Sequence, residues 1–169
     1  MRRSMSVLAG LAMAVIAAES RLTGQATNAT ANLSVSATVS KNCTITTAPV
    51  NFGAYDPVAT NATAPLDGTG TITVTCTKGA VATVGLNMGS NANSGARRMS
   101  AGSAGYLSYE LYKDASHSTV WGDATDTALD LPAEPNRNPR DFPVFGRVLA
   151  AQDASVGSYT DTVLATVNF

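Results

Sequence analysis

The sequence predicts an all-β sandwich. Beyond the first 26 residues no segment has a helical period of apolar positions, and short runs of strict apolar/polar alternation recur between Gly, Pro, Asn and Asp turns. A third observation bears on function. From Ala29 to Val39 the odd positions Ala29, Ala31, Leu33, Val35, Ala37 and Val39 are apolar and the even positions are Thr, Asn or Ser. That is a strand with one face meant for burial, yet no turn or partner strand precedes it, so it needs the edge of another sheet.

The first element is MRRSMSVLAGLAMAVIAAES, with Arg2 and Arg3 ahead of an apolar run from Val7 to Ala18. This fits a secretory signal, the run being about twelve residues and too short to span a bilayer. Ile16-Ala17-Ala18 and Gly24-Gln25-Ala26 both end in a small residue. Cleavage after Ala26 is preferred because it puts the alternating strand at the new N-terminus, giving a signal at 1–26, an N-terminal strand at 27–40 and one domain at 41–169. Losing Arg2, Arg3, Arg21 and Glu19 leaves 8 basic and 11 acidic residues, a net charge of −3 that recommends no nucleic-acid partner. The two cysteines, Cys43 and Cys76, are expected to pair in an exported chain. Closing that loop is worth about 4 kcal/mol in the chain-entropy model.

The strands follow in order. Cys43 and Ile45 continue the alternation until Pro49, so a strand ends near Thr47; Pro57, Pro65 and Asp67-Gly68 mark a loop. Ile72, Val74 and Cys76 form the next face, and across a Lys78-Gly79 turn Ala82, Val84, Leu86 and Met88 form a third, together predicting a hairpin. SNANSGARRMSAGSAG reads as an exposed loop with Arg97-Arg98 at a solvated tip. Leu107, Tyr109 and Leu111 share a face, Thr119-Val120-Trp121 is a short strand, and Ala124 to Asp141, with three prolines and no apolar period, is a long surface loop. Val144, Gly146 and Val148 suggest another strand, and Tyr159, Val163, Ala165, Val167 and Phe169 face inward in the last. This gives six or seven strands after Cys43.

Chemistry is scarce in this inventory. A Ser-His-Asp triad needs a held imidazole, and the single histidine, His117, reads as an exposed turn residue. No soft-ligand cluster for zinc is expected, and Asp123, Asp126 and Asp130 lack the spacing of a calcium loop. No cofactor and no enzymatic activity are therefore expected. Trp121 reads as core, and the Asn28, Asn42 and Asn61 glycosylation patterns as chance matches in a Thr-rich chain.

Several runs together resemble the spore coat protein U family, which includes the major subunits of archaic, Csu-type chaperone-usher pili. They are Cys43-Thr44-Ile45, Val50-Asn51-Phe52-Gly53 with Tyr55-Asp56-Pro57, the run from Gly70 to Gly79, and Arg97-Arg98-Met99. Leu107-x-Tyr109-x-Leu111-Tyr112-x-Asp114, Trp121-Gly122-Asp123, Val144-Phe145-Gly146-Arg147 and Gly157-x-Tyr159-x-Asp161-Thr162 extend it over nearly the whole mature chain. Leu149, where the family often has proline, and the Ala124–Asp141 loop depart from it.

The resemblance implies an immunoglobulin-like sandwich lacking its last strand, a hydrophobic groove beside the C-terminal strand, and filling of that groove by the N-terminal strand of another subunit. Ala29, Ala31, Leu33, Val35, Ala37 and Val39 would be the donor face, and Tyr159, Val163, Ala165, Val167 and Phe169 the acceptor groove. The implied partners are identical or related subunits, a periplasmic chaperone and an outer-membrane usher. The implied location is a surface pilus supporting adhesion and biofilm formation; the alternative is a spore-coat or surface-layer protein of the same fold. Self-filling is disfavoured physically. The missing strand would run parallel to the first, parallel neighbours need a crossover of a dozen residues, and only Ser40, Lys41 and Asn42, about 10 to 14 Å, separate Val39 from Cys43.

Overall fold

A computed structural model describes residues 27–169; the signal expected at 1–26 lies outside the described residues. The chain divides into two units, Met1–Ala37 and Thr38–Phe169. In the first, residues 27–37 carry no helix or strand and are exposed throughout.

The second unit holds eight strands: β1 (Cys43–Ala48), β2 (Leu66–Cys76), β3 (Ala82–Leu86), β4 (Arg97–Ser100), β5 (Tyr106–Tyr112), β6 (Leu129–Leu131), β7 (Arg140–Val148) and β8 (Ala165–Asn168). They form a five-stranded sheet, β1-β2-β7-β5-β4, and a three-stranded sheet, β6-β3-β8. Every pairing is antiparallel. The period-two reading explains the core. In β2, Gly70, Ile72, Val74 and Cys76 are buried while Thr71, Thr73 and Thr75 between them are half-exposed. Val144, Val148, Leu107, Tyr109 and Leu111 continue that inner face, and Val84, Leu86 and Leu131 meet it from the other sheet. Cys43 stands opposite Cys76 in the β1–β2 register, and the two form a disulfide.

Five local expectations are corrected. β2 and β3 form no hairpin but lie in different sheets. Alternation specifies a face and not a sheet, and the connection turns across the sandwich: Gly79 takes φ +83°, its N–H donates to the Glu134 carbonyl (2.8 Å), and the Glu134 N–H donates to Ala80 (2.9 Å). The Ala124–Asp141 stretch is not one surface loop. It contains β6, too short to register as a period, the start of β7, and buried Glu134 paired with Arg140.

Thr119–Trp121 is not a strand. It makes one bridge, Val120 to Tyr112, and Trp121 is held instead by its side chain, whose Nε1 donates to the Val84 carbonyl (2.9 Å) in the core. Arg97 is no solvated tip. It opens β4 opposite Tyr109 with 0% exposure. Its guanidinium donates to the carbonyls of Leu86 (2.8 Å), Asn87 (2.9 Å) and Trp121 (2.8 Å) and pairs with Glu110, so its donor fork is satisfied inside the sandwich. His117 is also covered, its side chain 7% exposed and edge-on to Tyr112 at 5.1 Å and Phe145 at 6.4 Å. Asn61 is buried, accepting from Asp56 N–H (2.8 Å) and donating to Ala64 (3.0 Å). That Asn is therefore committed to its own loop.

Candidate functional site

The site begins where β1 stops. Pro49 cannot donate to a ladder, so the chain leaves the five-stranded sheet after Ala48 and residues 49–55 cross its inner face. Glycines make the crossing possible. A Cβ at Gly70 would sit 2.8 Å from Val50 Cγ2, one at Gly68 2.9 Å from Phe52 Cδ1, and one at Gly146 2.7 Å from Phe52 Cζ. Val50 and Phe52 thus rest on bare backbone of β2 and β7, with Phe52 6.1 Å from the Tyr109 ring. Tyr55 closes the segment by donating from its hydroxyl to the Leu149 carbonyl (3.0 Å).

The opposing wall is the segment leading into β8. Thr160 exchanges backbone hydrogen bonds with Ser100 (2.8 and 3.0 Å), Thr162 accepts from Ser90 (3.0 Å) and Leu164 from Asn87 (3.0 Å). Asp161 secures it from within, accepting from the Tyr109 hydroxyl (2.7 Å) and from Asn91 N–H (3.1 Å) and Nδ2 (3.0 Å). Burial, then the bond to Asp161, pushes the Tyr109 phenol well above its usual range. Gly89 is required beside this carboxylate, since a Cβ there would meet Asp161 Oδ2 at 2.0 Å.

Between these walls lies a groove of about 820 Å³, lined from Thr47 and Ala165 at one end to Pro57 and Ala154 at the other, with Leu107, Tyr109, Val144 and Val148 among the apolar side chains at its base. Among the described residues, neither Val50–Tyr55 nor Asp161 and Val163 make a backbone–backbone hydrogen bond. β1 and β8 are both terminal strands of their sheets. The arrangement can therefore take up an extended chain: two open backbone edges supply a ladder, and an apolar floor takes alternate side chains.

Of the residues expected in an acceptor groove, Tyr159, Val163 and Ala165 are among those that line this groove. Val167 packs on the core without lining the groove, and Phe169, expected inward, is 48% exposed beyond the end of β8. The opposite wall, Val50 and Phe52, and the floor escaped the sequence reading. Its one usable signal was the set of Gly68, Gly70 and Gly146 at inward positions, where a sheet needs bulk unless another chain segment supplies it. Leu33, Val35 and Val39 are 88%, 86% and 82% exposed. Among the described residues no group of three or more His, Cys, Asp or Glu side chains is placed to hold a metal ion.

Comparison with known proteins agrees with this architecture. A curated relative, Protein U of Myxococcus xanthus, is 38% identical over 158 residues, covering 86% of this chain and 87% of the relative. A solved structure, the CsuC–CsuE chaperone–tip adhesion subunit pre-assembly complex from archaic chaperone-usher Csu pili of Acinetobacter baumannii, superposes with a TM-score of 0.58 at 22% identity. That match covers 78% of this chain and 41% of the solved one, and it shows the shared immunoglobulin-like fold. The Spore Coat Protein U domain model matches residues 29–166, and with Cys43, Val50–Gly53, the glycine seat and the open groove all inside that span, the chain belongs to the spore coat protein U domain family.

Proposed function

We propose that this chain is a non-catalytic structural subunit, exported and assembled into a surface pilus by donation of residues 29–39 to the groove of another copy. One observation carries the reading: an apolar groove with two unpaired backbone edges occurs in the same chain as an apolar, alternating segment whose large side chains stand in water. The lengths agree. Eleven donor residues reach at most roughly 35 Å, and the walls 47–57 and 154–165 are of similar extended reach.

Direction follows from propagation. β1 starts at the cystine end, so residues 27–42 leave there. A donor antiparallel to β8 leaves the receiving groove at the opposite end, placing the next domain beyond it. The parallel choice would put every new domain against an end already occupied by its predecessor. Only the first arrangement repeats, and a repeating heterologous contact gives a filament. An apolar groove with open edges needs cover before assembly, the role we assign to a periplasmic chaperone, with an outer-membrane usher as exit. Adhesion and biofilm formation are the roles we attach to the fibre.

A second reading, a spore-coat or surface-layer protein, is favoured by the 38% identity to Protein U over nearly its full length. Size-exclusion chromatography with light scattering on the secreted protein, with and without residues 27–40, tests donation. Oligomers or filaments from the full-length form and an unstable monomer from the truncated form are expected. A stable full-length monomer would refute it and leave the surface-layer reading.

A further inference from the structure

The groove reaches the far end of the sandwich at Pro57 and Val156 but leaves the rest of both ends uncovered, and the two ends differ in chemistry. At the cystine end, Lys78 and Arg137 line one shallow depression with Asn42 and Thr77. Lys41 adjoins it, because the Thr77 N–H donates to the Asn42 carbonyl (2.9 Å). All three cations are exposed, whereas Arg140 nearby is paired with Glu134; Asp141 and exposed Asp130, opposite Thr83, offset part of their charge. Val81, 59% exposed, lies beside them. At the far end, Val58 at 89%, Val156 fully and Leu149 at 49% stand in water on adjoining loops, joined by the Ala151 N–H donating to Asn61 (2.8 Å). The exposed carboxylates of Asp56 and Asp153 flank them. The cations at that end are engaged, Arg147 with Asp67 and Arg98 over the Tyr106 ring at 4.0 Å.

We infer that these two ends form a second contact between consecutive copies of this chain, apolar at its centre and charge-complementary at its rim, additional to the inserted strand. The inference rests on the strand-donation reading, which brings the cystine end of one copy against the far end of the next. Complementary charge there steers encounter and fixes rotation about the inserted strand, while Val58 and Leu149, outside the groove, lose water only when the bodies meet. A second copy is the occupant because it carries both the donor strand and the cationic face, which begins at Lys41, two residues beyond Val39.

The test is the assembly rate of the secreted protein at low and high salt, followed by light scattering. Lys78→Gln/Arg137→Gln and the control Thr69→Glu/Ala115→Glu change net charge equally, the control on the outer face of the five-stranded sheet between the two ends. The first should assemble about fivefold more slowly than the parent at low salt with a flatter salt dependence, and the control within about twofold of it. Val58→Asp should also slow assembly, and its exposure means that the fold is kept, as an unchanged melting temperature would verify. If all three variants assemble like the parent, or if the control slows as much as the paired substitution, the end-to-end contact is wrong while strand donation stands. If the parent itself stays monomeric, strand donation fails and takes this contact with it.

Discussion

Replacing Leu33 and Val35 by Asp tests the donor assignment most sharply. Both side chains are almost wholly in water, at 88% and 86% exposure, so nearly their full area is available for burial in a receiving groove. Burying a large aliphatic side chain is worth about 1.5–3 kcal/mol, so the two together contribute about 3–6 kcal/mol. At 1.4 kcal/mol per decade this is a loss of roughly two to four orders of magnitude in affinity, before the added cost of bringing two carboxylates into an apolar floor. The alanines at 29, 31 and 37 have little to lose, so Ala31→Gly should leave assembly close to the parent's. The assay is filament yield by light scattering and electron microscopy. The Asp pair should abolish filaments while the chaperone-held subunit stays soluble, and Leu33→Ala/Val35→Ala should weaken them without adding charge. Filaments at parental yield from the Asp pair would show that these side chains are not the donor knobs.

Three further outcomes are expected. Gly146→Ala places a methyl 2.7 Å from Phe52 Cζ and 2.8 Å from Val50 Cγ1, so it should displace the groove wall at a cost of about 1–3 kcal/mol, read as a lower denaturant midpoint. Arg97→Met leaves Glu110 without its cation and three carbonyls without their donor, and should cost about 3–5 kcal/mol in chemical denaturation. The Tyr109 phenol has a folded pKa raised above its unfolded value of 10.0, chiefly by burial. Its contribution is fully present below pH 10 and is lost as pH rises above it, so stability should fall in that alkaline window, and Tyr109→Phe should flatten the fall in a pH series of melting temperatures.

The legible part of this fold was whatever a single strand announces by its own alternation. β2, β5 and β7 each bury one face against the other sheet, and Ile72, Val74, Leu107, Tyr109, Val144 and Val148 fall on the side that period two assigned. Pairing across the sandwich was not local, so the Lys78-Gly79 turn looked like a hairpin when it joins two sheets. β6 was lost because Leu129-Asp130-Leu131 is shorter than any period can show. Arg97 was misread for a different reason. Composition around it is polar and small, and only the three-dimensional gathering of the Leu86, Asn87 and Trp121 carbonyls makes an interior for a cation. The site was half legible. The wall at Tyr159, Val163 and Ala165 follows from alternation, whereas Val50 and Phe52 line the groove because glycines on two distant strands leave room for them.

The cystine has a mechanical consequence. Cys43 is the first rung of β1, and β1 is a terminal strand of its sheet, so tension arriving along residues 27–42 would by itself be borne by the six-residue ladder that joins β1 to β2. The covalent link to Cys76 sends that load past β1 into β2. β2 is laddered on both sides, to β1 and to nine residues of β7, and yields only if many rungs slide together. A chain hauled end to end would thus carry force into the nine-residue ladder between β2 and β7, with the terminal strand β1 kept out of the line of pull.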